Sequence, residues 1–269
     1  MIADRYVWRA CGSGLCSALV CLSTLAAEPT GREILERQKQ VHDVSRETSH
    51  LSMRIYDRKG RARERALVTH VKRDEQGDAR VLLKFLSPAD IREVGLLTWE
   101  HGAGRKDDQW LYLPAARAVK RIAGATRKGA FMGTDLAYED LQAEDLSRHS
   151  YTLLGSEAVD GVDCWKVEAR PGDKADRALT GYGHRLLWVR KQDWVTARID
   201  FFNHSRKHVK TATFGDVVAL SGDLRRANRV VYEQPLRKTR TELIVTARDL
   251  ESPISDALLT RQGLMRPSR

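Results

Sequence analysis

Between residues 51 and 248 the chain is a succession of short segments in which apolar and polar side chains alternate at period two, each closed by a compact polar turn. Leu67, Thr69 and Val71 interleave with Val68, His70 and Lys72, a spacing that sends the two sets to opposite faces of a strand. Comparable segments lie at 51–57, 80–86, 94–100, 109–113, 151–155, 164–169, 184–190, 195–202, 210–220, 229–234 and 242–248. Asp57-Arg58-Lys59-Gly60, Glu75-Gln76-Gly77-Asp78, Asp160-Gly161, Arg190-Lys191-Gln192-Asp193 and Ser221-Gly222-Asp223 mark turns between them. Loops this short join antiparallel neighbours, so the pattern predicts a meander. No proline-rich linker, composition shift or fixed-period repeat divides it, and residues 28–269 read as one domain.

A meander this long curls as strand twist accumulates, and its apolar faces need covering. Val81, Leu83 and Phe85 form one such face, Leu186 and Trp188 another, and Val195, Ala197, Ile199 and Phe201 a third. Three segments have helical character: 31–48, opened by Thr30 and Glu33 at capping-box spacing; a short one at 135–142; and one at 254–262. The expected fold is α+β, mainly β: a curved antiparallel sheet of about 11 strands forming an open half-barrel with a helical lid. The space beneath is either packed shut or left as an apolar cavity.

Arg5 and Arg9 precede the apolar stretch Leu15-Cys16-Ser17-Ala18-Leu19-Val20-Cys21-Leu22 and then Ala26-Ala27, the layout of a cleaved export signal over residues 1–27. The stretch falls short of the roughly 20 residues of a membrane span. Cys11, Cys16 and Cys21 lie inside that segment, so the exported chain keeps only Cys164 and forms no internal disulfide. Cys164 sits in a strand-like run beside Trp165 and reads as a small buried residue. The net charge of +10 invites a nucleic-acid reading, which export and the lack of any recognisable binding motif oppose. Use at an anionic membrane surface or against an acidic partner is one account of it, and plain solvation is an equally good one.

The most informative stretch runs from Phe131 to Leu141: apolar and aromatic, broken by Gly133, then acidic at Glu139 and Asp140. It follows Trp110-Leu111-Tyr112-Leu113-Pro114 and a basic stretch from Arg117 to Lys128. Apolar side chains without a nucleophile or phosphate loop beside them suit contact with greasy material. Gly129 and Gly133 flank Ala130-Phe131-Met132 and give the segment room to move. Trp110, Tyr112, Phe131, Met132, Leu136, Tyr138, Leu141 and Trp188 are the candidates for a lipid cavity and its lid. In the competing reading Phe131, Leu136 and Leu141 plug the interior while Asp135 caps a short helix, and Trp110, Tyr112 and Trp188 are core or rim aromatics. Tyr138, Glu139 and Asp140 either answer Arg117, Lys120 or Arg121 through ion pairs or hydrogen bonds or stand as solvated surface, two readings the sequence does not separate.

Leu113-Pro114, Lys120-Arg121-Ile122-Ala123, Phe131-Met132-Gly133-Thr134-Asp135 and Tyr138-Glu139-Asp140-Leu141 together resemble the signature of the bacterial outer-membrane lipoprotein-sorting protein family, relatives of the periplasmic carrier LolA. Phe85-Leu86-Ser87-Pro88-Ala89-Asp90 and Gly95 before Leu96-Leu97 fit the same pattern. The similarity extends from the first helix to the C-terminus; Leu136 stands where an aromatic is common and Thr134 where serine is common. The resemblance implies a LolA-like open barrel with a helical lid over a hydrophobic cavity, acyl chains of a lipid or lipoprotein as cargo, a periplasmic location, and an RND-type exporter as partner. A periplasmic sensor or adaptor that regulates a membrane partner through ligand occupancy is the alternative. A lipid hydrolase is the enzymatic one.

Catalytic readings find little in the residues. His204 and His208 are four apart, but within a turn that does not set two ligands on one helical face. There is no Gly-x-Ser-x-Gly elbow, His-Glu-x-x-His motif or phosphate-binding glycine loop. Binding without catalysis, cofactor or metal is the expectation.

Overall fold

The computed structural model describes residues 28–102 and 105–268. The expected export signal lies outside the described residues. Six strands follow the first helix: β1 (Arg46–Tyr56), β2 (Ala62–Arg73), β3 (Ala79–Ser87), β4 (Gly95–Glu100), β5 (Asp108–Leu113) and β6 (Ala118–Arg121). A long crossing segment leads to seven more: β7 (His149–Val159), β8 (Val162–Pro171), β9 (Tyr182–Arg190), β10 (Thr196–Asn203), β11 (His208–Ser221), β12 (Leu224–Gln234) and β13 (Thr239–Asp249). All 13 belong to one antiparallel sheet, in the order β6-β5-β4-β3-β2-β1-β13-β12-β11-β10-β9-β8-β7.

The expected meander is therefore two. One runs outward from the centre and the other returns inward, and β1 and β13 close the seam, with Met53 opposite Leu243 and Ile55 opposite Thr241. β6 and β7 remain as free edges, so the curved sheet is open, as a LolA-like half-barrel requires. The strand beyond those expected is β6: its four residues, Ala-Val-Lys-Arg, alternate too briefly to register, and it forms because the edge of β5 offers unpaired backbone groups, Trp110 facing Arg121.

Helix α1 (Gly31–Val41) begins where expected. The Thr30 hydroxyl accepts the Glu33 N–H at 3.2 Å, and the Glu33 carboxylate accepts the Thr30 N–H at 2.7 Å. It ends seven residues before the expected 48, because Arg46 and Thr48 already pair with Lys72 and His70 in β2. Thr30→Ala is expected to lower stability by about 1 kcal/mol, the usual effect of losing an N-cap, measured as a lower urea midpoint at unchanged m-value.

The register shows how the sheet is covered on both sides. Leu83, Leu96 and Leu111 are aligned across β3, β4 and β5 on one face, and Leu82, Leu97 and Trp110 on the other. On the first face α1 packs Ile34 and Leu35 against Val167, Ala169, Leu187 and Val189 of β8 and β9. Gly31 permits this approach, since a Cβ there would meet the backbone of Thr152 and Leu153 at 3.0 Å. The crossing segment covers β1–β5 on the same face, with Phe131 and Tyr138 among Met53, Leu67, Phe85 and Leu111.

On the second face the C-terminal segment lays Ile254, Leu259 and Leu264 over Leu82, Leu97 and Trp110. Cys164 is fully buried there with Trp188 and Ala197 further along the sheet, and burial raises its thiol pKa. The expected C-terminal helix is shorter and later than 254–262, α-helical only at Arg261–Met265, and the expected helix at 135–142 is one 3-10 turn, Tyr138–Leu141. A short helix, Lys174–Leu179, stands where none was expected, capped by Asp173 on the Asp176 N–H at 2.8 Å. The lid is thus an irregular strap beside a helix.

Candidate functional site

The strap starts as a tight corner. The Phe131 N–H donates to the Leu136 carbonyl at 2.7 Å, the Thr134 N–H to the Phe131 carbonyl at 2.9 Å, and the Tyr138 N–H to the Gly129 carbonyl at 3.1 Å. Met132 and Gly133 take positive φ of 47° and 72°, which glycine adopts without strain and which turns the chain back on itself. Phe131 is driven inward to 0% exposure, stacked on Phe85 at 5.7 Å and edge-on to Tyr138 at 5.5 Å. Leu136 points into a neighbouring cluster with Phe201, Ala212 and Tyr232.

Carboxylates hold the strap to the sheet. Asp135 caps no helix: its two oxygens accept the hydroxyls of Thr239 at 2.5 Å and Thr241 at 2.7 Å, both near the start of β13. Glu139 accepts the Thr180 hydroxyl at 2.6 Å and the Gly181 N–H at 3.0 Å, and burial pushes its carboxyl above the usual range. Asp140 pairs with Lys210 of β11 and accepts the Tyr182 hydroxyl at 2.8 Å, while the Lys210 ammonium donates to the Tyr182 oxygen at 2.7 Å. Glu144 accepts the Tyr151 hydroxyl at 2.8 Å and pairs with Arg185, with His149 at 3.4 Å. Burial alone would raise the Glu144 carboxyl, but the charges of Arg185 and His149 outweigh it and hold it low.

These partners differ from the expected Arg117, Lys120 and Arg121. Arg121 pairs instead with Asp108 across the β5–β6 hairpin, and the strap's acids reach the far half of the sheet. Sequence reasoning overlooked Lys210, Arg185 and Glu144. The available signal was the in-phase position of two cations on otherwise apolar faces: Lys210 alternates with Ala212 in β11, and Arg185 with Leu187 in β9.

Between the strap and strands β9–β12 lies a cavity of about 360 Å³, toward the small end of ligand pockets, which run roughly 300–1,000 Å³. Its floor is Ile199, Phe201, Phe214 and Tyr232, and its rim is charged, with Arg127, Arg148, Glu144 and Arg185 among the lining. None of the eight residues named as candidates lines it. Phe131, Met132, Leu136, Tyr138 and Leu141 are brought together in the strap beside it. Trp110 and Tyr112 lie on the opposite face against the C-terminal segment, and Trp188 is also on that face, flanked by Lys166 and Arg198, each 4.9 Å from its ring. Among the described residues no group of three or more His, Cys, Asp or Glu is arranged to hold a metal, and no helix is long and apolar enough to cross a membrane.

A family model described only as an uncharacterised protein matches residues 77–266. No curated protein matches the chain in sequence. Among solved structures, a DUF1329 family protein from Desulfovibrio piger superposes with a TM-score of 0.81 at 30% identity, over 87% of this chain and 97% of that one. An outer membrane lipoprotein-sorting protein domain from Vibrio parahaemolyticus gives 0.81 at 25% identity, over 88% and 98%. A LolA superfamily protein from Nitrosomonas europaea shares the fold, at 0.67 and 18% identity, over 88% and 100%.

Proposed function

The chain belongs to the DUF1329 family, and from that membership, with its likeness to an outer membrane lipoprotein-sorting protein domain and its LolA-like fold, we propose that it is a periplasmic carrier. It binds acyl chains of a lipid or lipoprotein under the strap and passes them between envelope components, an RND-type exporter being the membrane partner in view. It works by binding alone, and residues 1–27 direct its export. The observation that carries this reading is the way the inner face is closed. Phe131 and Leu136 fill apolar space that an acyl chain could take, while the strap bearing them is tied down by carboxylates.

The energetics fit an exchange. An acyl chain gains about 0.8 kcal/mol for each methylene removed from water, so a modest length offsets the displacement of one aromatic and one leucine. The polar ties of the strap can be traded for water, which keeps opening less costly than unfolding the sheet. Ile199, Phe201 and Phe214 already line a cavity, and through Phe201 it adjoins the space Leu136 would vacate.

Native mass spectrometry of the exported protein is expected to find lipid or lipopeptide bound, and Ile199→Trp, which fills the cavity, to reduce that bound fraction severalfold. Protein that carries no lipid and binds no fluorescent fatty-acid probe would end the carrier reading.

A further inference from the structure

Three successive hairpin turns give one rim of the sheet a basic stretch, which the composition does not reveal. Turns joining β1–β2, β12–β13 and β10–β11 are successive along one rim, because their strands are neighbours in the sheet. They carry Arg58, Lys59 and Arg61, then Arg237 and Lys238, then Arg206 and Lys207, with Asp57 as the one acid among them. The opposite rim is mixed: Asp74, Glu75 and Asp78 lie in the β2–β3 turn, Asp160 in the β7–β8 turn and Asp223 in the β11–β12 turn, while Arg105 and Lys106 stand beside Asp107 in the β4–β5 loop and Lys191 near Asp193 in the β9–β10 loop. Arg61 is paired with Asp57 at 2.6 Å, but Arg58, Lys59, Arg237 and Lys238 make no ion pair among the described residues.

At the tip of the β12–β13 turn stands Leu236, 63% exposed, the most exposed large apolar side chain among the described residues. It follows Pro235 and directly precedes Arg237-Lys238. A shallow cleft of about 460 Å³ separates this turn from the β1–β2 turn, lined by Tyr56, Arg58, Gly60, Pro235 and Lys238. An isolated exposed leucine needs no explanation, but one at a hairpin tip ringed by unpaired cations has the character of an interfacial anchor: apolar insertion with basic residues at headgroup level.

We propose that this basic rim docks on an anionic phospholipid surface, with Leu236 entering the headgroup region. The strap's corner is at the same end: the Arg65 guanidinium donates to the Met132 carbonyl at 2.9 Å, and Asp135 is tied to Thr239, next to Lys238. Docking therefore brings the end of the sheet that carries the plug to the bilayer. The proposal deepens the carrier reading, which it rests on for the purpose of meeting a membrane, while the docking itself rests on the rim.

Co-sedimentation with vesicles tests it, comparing phosphatidylglycerol-containing with pure phosphatidylcholine vesicles. Each basic residue near an anionic surface contributes roughly fivefold to partitioning. Binding is expected only to the anionic vesicles and is expected to weaken as salt rises through the physiological range. The double variant Arg237→Glu/Lys238→Glu should lose more than tenfold, whereas Asp223→Lys on the other rim should not weaken binding. These turn residues are exposed, and unchanged thermal unfolding of each variant confirms that the sheet is intact. Leu236→Cys carrying an environment-sensitive dye should shift to shorter wavelength on anionic vesicles. Equal binding to neutral vesicles, no effect of the double reversal, or capture by an acidic protein surface with no vesicle binding would each overturn the proposal. Vesicle binding by protein that never carries lipid would support docking and remove the carrier reading, so the two fail separately.

Discussion

Phe131→Ala is expected to destabilise the protein by about 3–5 kcal/mol, the range for truncating a fully buried phenylalanine. Phe131 has 0% exposure and touches the sheet through Phe85 and its own strap through Tyr138, so its removal leaves a void with walls on both sides. β1–β5 cannot close over it, because the register of five paired strands fixes Met53, Leu67 and Phe85. Only the strap can relax, and it is tied just beyond Phe131 at Asp135 and Asp140. Urea denaturation measures the loss. A change below about 1 kcal/mol would mean that the corner collapses freely and that Phe131 is no plug. The same variant separates plug from permanent core by a second reading. If acyl chains enter where Phe131 sits, a fluorescent fatty acid should bind Phe131→Ala more tightly than the parent protein and restore part of the lost stability by mass action.

What the sequence made legible follows from how far apart the interacting groups are. The Thr30 cap is satisfied within three residues, and the strand segments announce themselves by local alternation, so both were readable. Strap residues 131–141 were readable as a unit because one glycine and a run of acids interrupt an apolar pattern. The pairing of β1 with β13 and the answer of Lys210 to Asp140 link residues far apart in the chain, and no local period encodes them. Val44 has helical spacing from Val41, yet the pairing of neighbouring Arg46 with β2 decides the boundary, tertiary pairing overriding a weak local preference.

The misplaced aromatics have a different cause. Alternation identifies a buried face when the other is wet, but Leu82 and Leu83, Leu96 and Leu97, and Trp110 and Leu111 are all buried. With both sides covered, nothing in the strand states which face meets the cavity and which the C-terminal segment, and Trp110, Tyr112 and Trp188 went to the far side. The cavity floor was overlooked for a related reason. Ile199 and Phe201 look like any inward strand residues, and only the path of the strap leaves a cavity beside them.

Lys210→Met is the variant expected to act most strongly on the strap itself. Lys210 and Asp140 have side chains only 5% and 3% exposed, and the ammonium lies 4.6 Å from the Phe201 ring centroid and 5.1 Å from that of Tyr182. Both charges were desolvated to meet, so the net value of the intact pair is small, while removing one partner strands the other. Methionine keeps the stem packed against the rings but leaves Asp140 with the Tyr182 hydroxyl as its sole partner from the sheet, at an expected cost of about 3–5 kcal/mol. The double variant Asp140→Leu/Lys210→Met should recover most of that, and the cycle measures the coupling directly. Costs that merely add would show that the pair does not latch the strap. Because Asp140 is the strap's tie to β11, Lys210→Met should also speed proteolysis within residues 124–129 before the sheet unfolds, and a probe for acyl chains should then find the inner face open. If cleavage instead tracks global unfolding, strap and sheet form one cooperative unit, and a carrier built on this fold would need its membrane partner to pry the strap loose.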